Sequence, residues 1–181
     1  MMKFSAFADE VMAAGATNDF YLTANNTVTS KGALQVLGDD ILEFGDGYFT
    51  NGKEALLWFG PKGTITPLHH DLTNNIFVQL YGKKRFIMIP SLQVPYMYND
   101  QRAKHVYSLV DGGAPDLQQF PLYKNITPIT LEVNAGEALF IPIGWYHYVV
   151  SESVSISLTF TNFRDINNYF VQGFSESYSH Y

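Results

Sequence analysis

From residue 55 onward the chain breaks into short runs of strand-forming residues separated by Gly and Pro, at 56–59, 64–71, 75–80 and 85–89. The pattern resumes at 129–133, 138–142, 146–151 and 154–162. Runs this short cannot each bury a face alone, so they must pair into sheets that close on one another. Residues 92–128 show no clear periodicity and are rich in Tyr, Gln, Asp and Pro, which predicts a long ordered insertion. Seven or eight short strands split by one insertion fit an all-β core, a double-stranded β-helix or jelly roll.

At 181 residues the chain suits one domain with a substantial core. Its expected parts are an N-terminal support (1–54), the barrel with its insertion (55–163) and a tail (164–181). Phe4, Phe7, Val11 and Met12 recur at helical spacing, predicting a short helix over the barrel. A second short helix is expected over 31–37. A last one is expected after Arg164, with Tyr169, Phe170 and Phe174 as its apolar side.

A net charge of −6 argues against a nucleic-acid partner, because affinity for phosphate backbones comes from many Lys and Arg contacts. There are no cysteines, so any metal must be held by imidazole or carboxylate. Asp9 and Glu10 interrupt the stretch where an export signal would need apolar residues. The apolar stretch 138–150 is broken by Pro142, Gly144 and His147 and is too short to span a bilayer. These features predict a cytoplasmic protein without a membrane partner.

Within 64–71, alternation of side chains puts His69 and Asp71 on one face and His70 on the other. A carboxylate, a neutral imidazole and a second imidazole from elsewhere make the facial triad of non-haem Fe(II) oxygenases, which leaves coordination positions open. Of the remaining histidines only His147 lies in an expected strand following a proline and a glycine turn. His105 and His180 fall in the insertion and the tail.

The flanking residues extend this pattern. GTITPLHHDLTNNIFVQLYG, with Gly63, His69, Asp71, Asn75 and Gly82, resembles the first cupin motif. GEALFIPIGWYHYVVS, with Gly136, Pro142, Gly144 and His147, resembles the second, although Ser151 stands where cupins usually have Asn. Within the cupins the chain resembles the JmjC hydroxylases, in particular the asparaginyl hydroxylase of hypoxia-inducible factor and small protein hydroxylases related to it. TPLHHDLTNNIFVQLYGKKRFIMIP is similar to their first ligand strand, the next strand and the lysine strand, and SLVDGGAPDLQQFPLY to part of their insertion. DFYLTANNTV is a fainter echo near the amino terminus.

The resemblance implies an Fe(II)- and 2-oxoglutarate-dependent dioxygenase, with iron on His69, Asp71 and His147 and with 2-oxoglutarate and O2 as co-substrates. It assigns Lys84 to the distal carboxylate of 2-oxoglutarate, with Thr66 and Tyr21 as hydrogen-bonding helpers and Asn75 and Asn162 lining the co-substrate pocket. A carboxylate buried in a barrel needs a cation. Alternation alone does not choose that cation, because Lys84 shares a face with Phe86 and Met88 while Arg85 shares one with Ile87 and Ile89. Thr66 falls opposite His69 by strict alternation, unless Pro67 introduces an irregularity. Asn162 falls on the apolar face of the last strand, with Val154, Ile156, Leu158 and Phe160. Trp145 and Tyr146 are candidates to wall the pocket. Asn75 reads equally as a structural amide.

The resemblance also implies a protein or peptide side chain as substrate. Other readings are a small-molecule or nucleoside hydroxylase of the same mechanism, and a metal-binding cupin without oxygenase activity. About twenty residues follow Asn162, so a monomer or small homo-oligomer is expected rather than dimerisation through a large C-terminal bundle.

Overall fold

The computed structural model describes residues 2–23, 48–49, 55–99 and 106–164. The helices expected over 31–37 and after Arg164, together with His105 and His180, lie outside these residues. Helix α1 (Phe4–Ala13) is followed by strands β1 (Leu56–Gly60), β2 (Ile65–His70), β3 (Asn75–Tyr81), β4 (Lys83–Ile89), β5 (Ile129–Asn134), β6 (Ala138–Ile141), β7 (Tyr146–Ser151) and β8 (Ser155–Phe160). They form two antiparallel four-stranded sheets, ordered β1-β8-β3-β6 and β2-β7-β4-β5. Every connection except β4 to β5, which carries the insertion, crosses from one sheet to the other. This winding is the expected jelly roll.

Alternation along each strand separates an inner from an outer face. Inside, Phe77 of one sheet meets Phe86 of the other edge to face, with ring centroids 4.9 Å apart. Met88, Val133, Ile141 and Val149 complete this apolar plug. The described part of the insertion covers the outside of the second sheet with two 3-10 turns, Ser91–Tyr96 and Pro121–Asn125. Its Val94, Met97, Val110 and Tyr123 pack on Leu68, Ile89, Tyr146 and Tyr148.

The amino-terminal residues brace β1. Phe4 and Phe7 place their rings 6.1 and 5.6 Å from that of Phe59, and Leu22 exchanges two backbone hydrogen bonds with Phe59. Val11 is fully buried, whereas Met12 is 60% exposed, so the apolar stripe of α1 is narrower than its spacing predicts.

Strand β8 departs from expectation in an informative way. Its pattern predicts a half-buried strand with the apolar face inward, but both faces are buried. Leu158 and Phe160 pack outward with Leu57 and Phe49, while Ser155, Ser157 and Thr159 are the fully buried polar residues of the opposite face. The barrel interior is therefore polar along this strand. Its apolar outer face is covered by Phe49, Ala55 and Leu57.

Gly82 makes the turn from β3 to β4. Its φ is +74°, and an added Cβ would lie 1.9 Å from the Val154 carbonyl oxygen, a backbone atom that cannot swing aside. Gly82→Ala should cost about 2 kcal/mol or more of stability. A thermal melt within a degree of wild type would contradict this account of the turn.

Candidate active site

The site begins with the pairing of β2 and β7. Ile65 and Thr66 face Val150 and Val149, but His69 and His70 face His147 and Tyr146, so β2 contains one residue more than its partner between Thr66 and His69. This bulge falls at Pro67, which has no N–H to give to the ladder. The extra residue resets alternation and turns Thr66 and His69 to the same side. It also places His69 directly opposite His147.

Asp71 follows β2 immediately. Gly144 N–H donates to the Asp71 carbonyl at 3.1 Å and Ile143 N–H to Asn74 Oδ1 at 2.8 Å, tying the turn after β2 to the turn before β7. His69, Asp71 and His147 thereby bring one ligand atom each to within 4.8 Å of one another. His69 Nε2 lies 3.8 Å from Asp71 Oδ1, and His147 Nε2 lies 3.9 Å from Asp71 Oδ2.

The ring nitrogens that face away are also occupied. His69 Nδ1 lies 2.8 Å from the Pro67 carbonyl and His147 Nδ1 lies 3.1 Å from that of Trp145. Each carbonyl fixes a proton on Nδ1 and leaves the Nε2 lone pair pointing at its partners, which is the tautomer a metal ligand needs. Burial, reinforced by His147, pushes the His69 imidazole down from 6.5 to about 4. Burial likewise lowers that of His147. Two neutral imidazoles and one carboxylate form a donor set of charge −1, suited to a divalent cation and compatible with a facial triad.

His70 is not part of this cluster. It is buried on the other face with its ring against Tyr146, centroids 4.9 Å apart.

The triad opens into a cleft of about 500 Å³ between the sheets, lined also by Tyr21, Thr66, Asn75, Lys84 and Thr159. The cations after Gly82 divide sharply. Lys83 pairs with Glu132 and Glu152, and Arg85 with Glu152, on the outer face. Lys84 points inward, is 2% exposed, and has no carboxylate partner among the described residues. Its Nζ donates to Tyr21 Oη at 3.2 Å and Ser157 Oγ at 3.0 Å. Burial pushes its ammonium down to about 7. The Tyr21 phenol is raised by burial, a hydrogen bond with Thr66 opposing, and stays protonated.

Asn75 lines the cleft and donates from Nδ2 to Asp71 Oδ2 at 3.1 Å, so its amide orients the carboxylate. Asn162, Trp145 and Tyr146 are not among the lining residues. Trp145 packs with the inner plug, Tyr146 belongs to the core under the insertion, and Thr159 and Thr161 occupy the wall where Asn162 was expected. Sequence reasoning missed Trp58, Ser157 and Thr159, whose inward direction depends on β8 having a polar inner face. It also missed Tyr107, which stacks on His69 at 5.3 Å between centroids and 24° between planes. Only the tertiary path of the insertion places that ring.

The cupin-like domain family matches residues 1–169. The chain belongs to the cupin-like domain family. Its members' jelly roll accounts for the sheet winding seen here, and the His–Asp–His triad adds the ligand set typical of JmjC hydroxylases. Among related proteins, JmjC domain-containing protein D of Dictyostelium discoideum is 39% identical over 120 residues, covering 63% of this chain and 27% of that protein. Lysine-specific demethylase 8 of Xenopus tropicalis is 34% identical over 104 residues, 57% of this chain and 24% of that one. Human HSPB1-associated protein 1 is 33% identical over 113 residues, 60% of this chain and 23% of its own length. This cupin-like chain thus spans about a quarter of the length of the curated relatives it matches.

His69→Ala and Asp71→Ala should each weaken Mn(II) binding by more than about 100-fold, whereas His70→Ala should leave it within a few-fold of wild type. Calorimetric titration of the three variants measures this. Loss of binding in His70→Ala with retention in His69→Ala would show that the ligand register is wrong.

Proposed function

We propose that this chain is an Fe(II)- and 2-oxoglutarate-dependent oxygenase that hydroxylates a C–H bond in a protein or peptide side chain. The observation that carries the reading is a single cleft holding both the triad and a buried lysine without a carboxylate partner among the described residues. The triad suits a divalent metal, and the lysine suits the far end of a dicarboxylate. A metal-binding cupin with no anionic co-substrate has no use for a cation buried this deeply.

Iron in such a site supplies the oxidative chemistry, coupling decarboxylation of the 2-oxo acid to hydroxylation. The chain's own residues do the rest. His69 and His147 present neutral Nε2 atoms because their Nδ1 atoms face backbone carbonyls. Asn75 holds the Asp71 carboxylate by one oxygen. Lys84 would neutralise the distal carboxylate of 2-oxoglutarate, with the Tyr21 phenol and Thr66 hydroxyl beside it to donate hydrogen bonds. Leu56, Phe77, Ile141 and Val149 line the same cleft and exclude water around the carbon chain.

A protein or peptide substrate is supported by the mouth of the cleft, where Leu72 and Tyr107 are 37% and 41% exposed beside the triad. Some relatives bear names that specify action on lysine. Among the described residues no helix is long and apolar enough to cross a membrane.

Conversion of 2-oxoglutarate to succinate by the Fe(II)-loaded chain, stimulated by a peptide pool, tests the assignment. No turnover with any pool, together with no binding of 2-oxoglutarate, would overturn it. Lys84→Ala should raise the 2-oxoglutarate requirement at least about 30-fold, while Lys83→Ala, which removes a surface cation, should change it less than about twofold. Equal effects would remove the case for Lys84.

A pH dependence follows from the same lysine. Its ammonium is pushed down to about 7 without ligand, so the protein binds the dianion in its ready form below that pH. Above it, binding must take up a proton, and affinity for 2-oxoglutarate should fall by up to about tenfold per pH unit. Titrations of the Mn(II)-loaded chain between pH 6 and about 8.5 read this slope directly. A flat profile would mean that Lys84 is already charged in the free protein.

A further inference from the structure

We propose that Trp58 shapes the co-substrate channel and restricts it to a slender, unbranched dicarboxylate. The inference rests on the reading of Lys84 as the partner of the distal carboxylate. Lys84 Nζ lies 5.5, 5.6 and 5.4 Å from the ring centroids of Tyr21, Trp58 and Phe77. An ammonium has three N–H donors, of which, among the described residues, Tyr21 Oη and Ser157 Oγ take two. With rings crowding the head group, an anion reaches the last donor along the cleft.

Trp58 is the largest of these walls, and its place is set twice. Register puts it opposite Ser157, the residue that holds Lys84. Its indole N–H donates to Thr159 Oγ1 at 3.0 Å, two residues further along β8. Beyond Thr159, Phe160 pairs with Ile76 of β3, next to Asn75, which bonds Asp71. The indole is thus anchored along the direction that leads from the lysine to the triad.

The span is short. Lys84 pairs with Ser151 and Met88 pairs with His147, an offset of four residues on each strand, or roughly 13 Å between backbone positions. Trp58 lines the cleft that joins the two ends, on the sheet facing β4 and β7. Trp58 has little room to retreat, because Tyr21 lies against it with centroids 5.7 Å apart. Tyr21 is itself seated on Gly60, where an added Cβ would come within 2.7 Å of its ring. A substituent on C3 or C4 of a 2-oxo diacid would be pressed against the indole, whereas a linear chain would slide past it.

The test is calorimetric titration of the Mn(II)-loaded full chain with 2-oxoglutarate and with its 3-methyl and 4-methyl derivatives. Wild type should prefer the linear acid by about 30-fold over at least one derivative, and Trp58→Ala should reduce that preference to about threefold or less. Thr159→Val keeps the volume but removes the anchor, and Trp58→Phe keeps a smaller ring without the N–H; both should give intermediate preferences. These two variants decide the matter if Trp58→Ala does not fold. Full preference retained in folded Trp58→Ala, or in both milder variants, overturns the role of Trp58 while the 2-oxoglutarate reading stands. Wild type that binds linear and branched acids equally well has the same meaning. Wild type that binds none of them overturns both.

Discussion

The site depends on one irregularity in one strand pair. A regular β2 would have set Leu68, not His69, opposite His147, and the apolar side chain would have entered the cleft while the imidazole turned outward. The extra residue beside Pro67 prevents this. It lets β2 bury Leu68 under the insertion and still deliver Thr66 and His69 to the interior. The tie between the turns at Asp71–Asn74 and Pro142–Gly144 then fixes the carboxylate relative to both imidazoles.

The second constraint is electrostatic. A lysine sealed inside a barrel is costly, and its lowering to about 7 corresponds to a penalty on the order of 5 kcal/mol for the charged form. The surrounding residues only partly offset it. Two hydroxyls accept its hydrogen bonds and three ring faces surround it, but none of these groups carries a formal negative charge. A bound carboxylate would complete the compensation. The polar inner face of β8 belongs to the same arrangement, since Ser157 and Thr159 hold Lys84 and Trp58.

Much of this was legible in the sequence because Gly and Pro punctuate the strands. Residues 146–151 form β7 as expected, and the ends of β1 to β5 differ from expectation by one or two residues. The triad was legible too, since His69 and Asp71 still share a face. The bulge lies before His69, so it leaves that alternation intact, and it is the irregularity foreseen at Pro67 that turns Thr66 to the same side. The choice of Lys84 over Arg85 could not come from face polarity. Ile87 and Ile89 face the core built by the insertion, while Phe86 and Met88 face the inner plug, so both faces of β4 are apolar for different reasons. Inward and outward are equally ambiguous in β8, which displaced Asn162 in favour of Thr159 and Thr161. Tyr107 and Trp58 are positioned by contacts distant in sequence, which no local pattern records.

The most direct measurement is a crystal structure of the chain with Mn(II) and an inert analogue of 2-oxoglutarate. One metal is expected on His69 Nε2, Asp71 and His147 Nε2, with the distal carboxylate of the analogue on Lys84 Nζ and the Tyr21 hydroxyl. A metal bound through His70, or an analogue whose distal carboxylate meets Lys83 or Arg85 instead, would contradict it.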